Sequence, residues 1–240
     1  MKELAETTTS SRVESILDVG CGDGSFLRQL IASSPEAKRV VGVDIVDPRT
    51  LVPEDLLNHP VAEWVTAYGH QLPFPDDSFD LVCIARVLHH LPGEFVELTL
   101  NEMKRVLKPG GEFMVCEMYS DQQRDAQMGY VFYHQWLAEV DRYRGIHHYD
   151  FLNRNAVVSI IDSLGLVDCQ MEDYNEEYTA EQEQQEMAII LERVDQRLQL
   201  AEGYEELERL KQEAQSIHVW MLTHGLAMPT RLIASGHVEV

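Results

Sequence analysis

No stretch of this chain is long and apolar enough to span a bilayer, and its first dozen residues are polar, so neither a membrane helix nor a secretory leader is expected. Cysteine is sparse. Cys21, Cys83, Cys116 and Cys169 stand apart without paired spacing, three of them inside apolar runs, which argues against a disulfide framework and for reduced thiols in a cytoplasmic protein. Positive charge is the scarcest commodity: 19 Lys and Arg face 41 Asp and Glu, a formal net charge of −22. A surface so short of cations is poorly suited to neutralising phosphates, which disfavours nucleic acid and anionic membrane as partners. A small molecule or a basic peptide remains. At 240 residues the chain is sized for a single α/β domain, residues 1–240, with an elaboration.

What is present is concentrated in Ile16-Leu17-Asp18-Val19-Gly20-Cys21-Gly22-Asp23-Gly24-Ser25-Phe26. An apolar run ends in a carboxylate and three alternating glycines, and an apolar helical pattern follows, which reads as strand, tight turn, helix. Glycine permits positive φ and a close approach of ligand to backbone. The helix start is expected to present free N–H groups. The spacing is G-x-G-x-G, not the dinucleotide G-x-G-x-x-G, and Asp18 would repel a pyrophosphate while attracting an ammonium group. Twenty residues past Gly24, the run Val40-Val41-Gly42-Val43 ends in Asp44, placed to accept from both hydroxyls of a ribose. An amino acid joined to a nucleoside satisfies both carboxylates, and S-adenosylmethionine is the leading candidate. Asp18 as a helix cap above a bare glycine turn is the alternative.

With these residues in view, the chain resembles the class I S-adenosylmethionine-dependent methyltransferases, in particular the ubiquinone/menaquinone biosynthesis group. Four ordered blocks carry the resemblance: ILDVGCGDGSF (16–26), VVGVDI (40–45), HQLPFPDDSFDLVCIARVLHHL (70–91) and NEMKRVLKPGGEFMVCEM (101–118). Beyond residue 120 the match is loose, where such enzymes vary with substrate. The resemblance implies Asp18 for the methionine ammonium, directly or through water. It implies Gly20, Cys21 and Gly22 for backbone approach, Asp44 and Ile45 at the ribose, Gly69 and His70 at the adenine, and Ala85 at the methionine end. Tyr68 stands where related sequences carry the acid that accepts from the adenine amino group, so that contact is expected to be weaker or to come from Gln71.

Taken in order, the chain predicts a helix to about Ser33, a strand ending at Asp44, a short helix over 53–58, a strand over 63–67, and a proline-rich loop over 68–75. A buried strand over 79–85, a helix over 93–107, a turn over 108–111 and a strand over 112–118 come next. A helix over 153–164 capped by Gly165 and a strand over 166–171 follow, and the resemblance implies a final antiparallel strand, which 230–234 suits. The expected fold is α/β: a doubly wound, Rossmann-like, seven-stranded, mostly parallel sheet with an antiparallel last strand and a helical insertion. Residues 119–150, rich in Tyr, Phe, Trp and His, are core or substrate pocket.

Methyl transfer needs an oriented nucleophile and, where necessary, a base. His89, His90 and His134 are the candidate bases, with His147 and His148 behind them; each has a plain packing role as its alternative. No metal is expected, because adjacent histidines point apart and no ligand-spaced partner lies nearby in sequence. The acidic stretch 172–228 carries Met187, Leu191, Val194, Leu198 and Ala201, then Leu207, Leu210, Ala214, Ile217 and Met221, at helical spacing on either side of Gly203. Two amphipathic helices are expected there, their seams packing on each other, on their own sheet, over the pocket as a lid, or against a second copy in a homodimer. The function implied is S-adenosylmethionine-dependent methylation of a small molecule, with the nucleophilic atom open. A protein or peptide acceptor, or a non-catalytic binding subunit, is the alternative.

Overall fold

The computed structural model describes residues 13–239. All of the polar lead-in expected over residues 1–13 except Val13 lies outside the described residues. The sheet comprises β1 (Ser15–Val19), β2 (Arg39–Asp44), β3 (Ala62–Thr66), β4 (Phe79–Ala85), β5 (Leu107–Met118), β6 (Val167–Tyr174) and β7 (Arg231–His237). Their order is β3-β2-β1-β4-β5-β7-β6, with β7 alone antiparallel to its neighbours. The antiparallel last strand therefore sits inside the sheet, between β5 and β6, and closes no edge.

Nearly continuous apolar runs make β1, β2 and β4 two-sided. Leu17, Val41, Val82 and Ile84 join one buried cluster, and Ile16, Val40, Leu81 and Cys83 join another on the opposite face. Helix α1 (Ser25–Ser33) covers the second face through Phe26, Leu27 and Leu30. Helices α3 (Gly93–Val106) and α5 (Arg154–Ser163) cover the first through Leu100, Met103, Val157 and Ile161. This two-sided burial, with a single-turn α2 (Glu54–Leu57) at one flank, is the doubly wound arrangement.

The expected turn over 108–111 is built into β5. Phe79 pairs with Leu107 and Leu81 with Glu112, so Lys108–Gly111 form a bulge within the strand. Asn153 caps α5 by accepting from the Ala156 N–H at 2.9 Å, and Gly165 follows it at φ +60.

Over the C-terminal strand ends lies a helical cap that the fold shares among three elements. Helix α4 (Asp125–Tyr143) runs through the aromatic segment, and α6 (Ala180–Leu200) and α7 (Leu207–His224) are the two helices of the acidic stretch. The seam residues do not rest on the sheet. Ala201, Leu210, Ala214 and Met221 are buried with Tyr133, Trp136 and Val140 of α4, and Met187, Val194, Leu198, Leu207 and Ile217 pack around them. Ile190, absent from the expected seam, is the most buried residue of α6. No helix among the described residues is long and apolar enough to cross a membrane, and all four cysteines are free.

Candidate active site

The first glycine turn is latched to β2. The Gly20 and Cys21 N–H groups donate to the Val43 carbonyl at 2.7 and 3.0 Å, and the Gly22 N–H donates to Asp44 Oδ2 at 3.0 Å. The Ser25 N–H donates to Asp23 Oδ1 at 3.0 Å. The protein itself thus occupies the Gly20, Cys21 and Gly22 N–H groups of the turn and the Ser25 N–H at the helix start. Gly20 has φ +77, and a Cβ on it would lie 2.3 Å from Val87 Cγ2, so only glycine fits. Gly22 has φ +51 and open space on its side-chain side. Asp44 Oδ1 accepts from the Val46 N–H at 3.0 Å, and each of its oxygens keeps a second lone-pair direction for a ligand hydroxyl.

Asp18 lies beneath the turn, 1 % exposed. Its Oδ1 accepts from Cys83 Sγ at 3.7 Å, and its Oδ2 has no partner. Burial pushes its carboxyl up to about 7, against the pull of the Arg86 guanidinium. Arg86 was not read as a site residue. It follows β4 in the left-handed region at φ +60, its N–H donates to the Cys116 carbonyl at 2.8 Å, and its guanidinium donates to Ser25 Oγ at 2.9 Å. A lone Arg breaking the apolar run over 79–91 was the available signal.

A cavity of about 640 Å³ opens between the strand ends and the cap. Gly20, Cys21, Gly22, Asp44, Ile45, Gly69 and Ala85 of the predicted cofactor set line it, together with Arg86. Asp18, His70 and Gln71 do not form its wall. The His70 ring stacks between Tyr68 at 5.2 Å and Phe95 at 4.4 Å. Gln71 is exposed, its N–H donating to the Tyr68 carbonyl at 3.0 Å.

The opposite wall is histidine. His89, in a single 3-10 turn over Leu88–His90, is 3 % exposed, with Nδ1 3.0 Å from Glu117 Oε1. Glu117 also accepts from the Leu88 and Met118 N–H groups at 2.8 and 3.0 Å. His134, on α4, stacks on Phe151 at 3.6 Å and places Nε2 3.0 Å from His148 Nε2. Burial, then the surrounding imidazoles, push the His134 pKa down, so its ring is neutral. His148 Nδ1 lies 2.9 Å from Asp141 Oδ2. Burial opposes ionisation of Asp141, but the His148 hydrogen bond and the nearby Arg197 and Arg144 outweigh it and hold the carboxyl below the ordinary range. His90 is exposed at the cavity mouth, its ring 4.2 Å from His89 and 4.7 Å from His148. His147, also exposed, stands at the rim of the cavity beside Tyr149.

No ligand-spaced histidines are neighbours in sequence, but neighbours in space are different. The fold gathers one ligand nitrogen each from His89, His134 and His148 within 4.8 Å of one another. The aromatic segment also divides: Tyr133 and Trp136 are core, while Tyr130 and His134 face the cavity.

Residues 17–115 match a family model described as a methyltransferase domain. Among curated proteins the chain is 33 % identical over 122 residues to a ubiquinone/menaquinone biosynthesis C-methyltransferase of Geobacter sulfurreducens, covering 49 % of this chain and 47 % of that protein. It is 30 % identical over 167 residues to a demethylmenaquinone methyltransferase of Symbiobacterium thermophilum, covering 64 % and 65 %. The chain spans about half the length of most curated relatives it matches. Among solved structures, phosphoethanolamine N-methyltransferase 2 of Haemonchus contortus, in complex with S-adenosyl-L-methionine, superposes over 99 % of this chain and 51 % of that one, with a TM-score of 0.57 at 16 % identity. That likeness shows the fold. The sequence blocks, the strand order and the family match together make residues 17–115 a methyltransferase domain, similar to those of the class I S-adenosylmethionine-dependent methyltransferases.

Proposed function

We propose that this chain transfers a methyl group from S-adenosylmethionine to a small organic acceptor held between the glycine turn and the histidine wall. One observation carries the reading: a single cavity has a nucleoside-fitting wall on the sheet side and a buried imidazole cluster on the cap side. Its volume of about 640 Å³ falls in the range usual for small-molecule sites.

The residues present fit the cofactor. Asp44 has lone pairs left for two ribose hydroxyls, Gly22 leaves room beside the turn, and the orphaned Asp18 Oδ2 is an acceptor awaiting a donor. When bound, the cofactor supplies a methyl carbon already activated by its sulfonium. Asp18, beneath the turn, holds the ammonium through a water, and Arg86 balances the carboxylate at the same end. Ala85 keeps that end of the cavity narrow. Tyr130, His134 and Leu137 of α4 line the acceptor side, which supports a pocket role for part of residues 119–150, with α6 and α7 packed behind α4. The histidine wall orients the acceptor's nucleophile toward the methyl carbon.

Isothermal titration with S-adenosylhomocysteine tests the cofactor wall, and micromolar binding is expected. Incubation of the protein with a metabolite extract and isotope-labelled S-adenosylmethionine then reports turnover and product mass together. The extract is to be supplemented with quinols, because the curated relatives are named for quinone biosynthesis. Binding without any labelled small product, but with label on added basic peptides, would replace the small-molecule reading with a peptide one.

A further inference from the structure

We propose that His89, His134 and His148 bind one divalent transition-metal ion of the zinc class, with an open coordination position facing the acceptor side of the cavity. The binding stands on the cluster itself; the role of the open position rests on the methyl-transfer reading above.

Three elements far apart in sequence converge here: the turn after β4, helix α4 and the segment that follows α4. All three rings are buried, at 3, 6 and 6 % exposure. Two nitrogens bound to one tetrahedral zinc at about 2.0–2.1 Å stand about 3.3 Å apart. His134 Nε2 and His148 Nε2 are already 3.0 Å apart, and all three ligand atoms lie within 4.8 Å. A movement on the order of 1 Å closes the set, within the reach of rotamer adjustment on one ring.

The carboxylates decide which nitrogen faces inward. Glu117 and Asp141 are acceptors, so His89 and His148 donate to them through Nδ1–H and keep the Nε2 lone pair for a ligand. Carboxylate-oriented imidazole is the arrangement that metal-binding histidines use to fix tautomer and raise basicity. His134 lacks such a partner: its Nδ1 is buried and unpaired, which leaves its tautomer free to present Nε2.

Charge gives a second, independent argument. Glu117 is 1 % exposed, and among the described residues its one side-chain partner is His89. A fully buried carboxylate without a cation is costly. A divalent ion on the far side of His89 supplies the missing charge. Asp141 is different, since Arg144 and Arg197 already share it at 3.2 and 3.1 Å.

Three histidines leave the fourth position for water or for the acceptor, the pattern of catalytic and not structural zinc. An acceptor hydroxyl or thiol bound there becomes more acidic and gives up its proton to solvent at the mouth of the cavity. The nucleophile's lone pair then forms the new bond to the methyl carbon. The carbon–sulfur bond breaks with its electron pair going to sulfur, and the metal keeps its oxidation state.

The test is a titration of the chelator-stripped full chain with cobalt(II), followed by its visible ligand-field bands, and displacement by zinc(II). One-to-one binding is expected. Asp141→Asn is expected to weaken it roughly 10- to 100-fold, His148→Ala and His134→Ala to remove it, and His147→Ala to leave it unchanged. Each variant is checked in parallel for S-adenosylhomocysteine binding, which reads folding of the sheet-borne wall. Absence of cobalt bands in the wild-type chain, or full affinity in a folded His148→Ala variant, overturns the proposal and leaves a metal-free imidazole network in which His134 Nε2–H donates to His148. Should the alanine variants fail to fold, the wild-type titration and Asp141→Asn still decide. Cobalt binding without S-adenosylhomocysteine binding would refute the methyl-transfer reading and uphold the metal site.

Discussion

Asp18 is the residue whose ionisation the fold controls most plainly. Its folded pKa is raised to about 7 by burial, so the stability it contributes is full below its unfolded value near 4 and is lost as pH rises through about 7. A bound ammonium reverses that preference by favouring the carboxylate. Affinity for S-adenosylhomocysteine is therefore expected to rise roughly tenfold from about pH 6 to about pH 8. Asp18→Asn is expected to flatten the profile, weaken binding and raise the ligand-free melting temperature at the higher pH. Calorimetry at both pH values with wild type and variant checks it, and a pH-independent wild type would remove Asp18 as the ammonium partner. Asp44 has a different double duty, as ribose acceptor and as the latch on the Gly22 N–H. Asp44→Ala is expected to cost about 1.5–3 kcal/mol of cofactor affinity, tenfold or more. Unchanged affinity by titration would contradict the ribose assignment.

Helix α4 ties cap to cavity, since one side of it is core to the hairpin and another lines the site. Trp136 Nε1–H donates to the Leu210 carbonyl at 2.9 Å, and Leu210 is fully buried in the cluster that holds α6 and α7 on α4. Gln127 fastens the base of the cap through Nε2 donation to the Met228 carbonyl at 3.0 Å. Leu210→Ala is expected to destabilise the cap by about 2–5 kcal/mol, and Leu210→Asp, which buries an unpaired charge, to release the hairpin. Because the nucleoside wall belongs to the sheet, S-adenosylhomocysteine binding should survive in Leu210→Asp while acceptor turnover falls by at least tenfold. Full turnover by the labelled-cofactor assay would show the hairpin to be dispensable for the pocket. With the seams consumed inside the chain, Ile189, Val219 and Leu222 are the large apolar side chains left exposed on these two helices away from their ends.

The whole molecule carries a formal net charge of −22, and self-repulsion of that size opposes compaction. Added salt screens it over a Debye length of about 8–10 Å at physiological strength. The melting temperature should accordingly rise between about 0.01 and 0.3 M sodium chloride. A fall would mean that exposed pairs such as Arg39–Glu63 and Lys38–Glu14, which salt weakens, outweigh the repulsion. The same charge predicts no retention on duplex DNA at about 0.1 M salt.

The meeting of the glycine turn with Asp44 was legible in the chain because its determinants are local. A strand, a glycine turn and a carboxylate at the next strand's end lie within thirty residues, and backbone pairing of adjacent parallel strands brings Asp44 to the turn without help from the rest. Gly20, Gly22 and Asp44 could therefore be named from spacing. The two helices of the acidic stretch were legible for the same reason, as a periodicity within each. Only tertiary packing decided where they went: onto α4, where Tyr133, Trp136 and Val140 are buried with them. The histidine cluster was beyond any local reading. His89, His134 and His148 meet through the turn after β4, a helix and the segment beyond it, and the carboxylates that set their tautomers, Glu117 and Asp141, come from β5 and α4. No spacing rule spans such separations; side-chain burial between cap and sheet brings the five together.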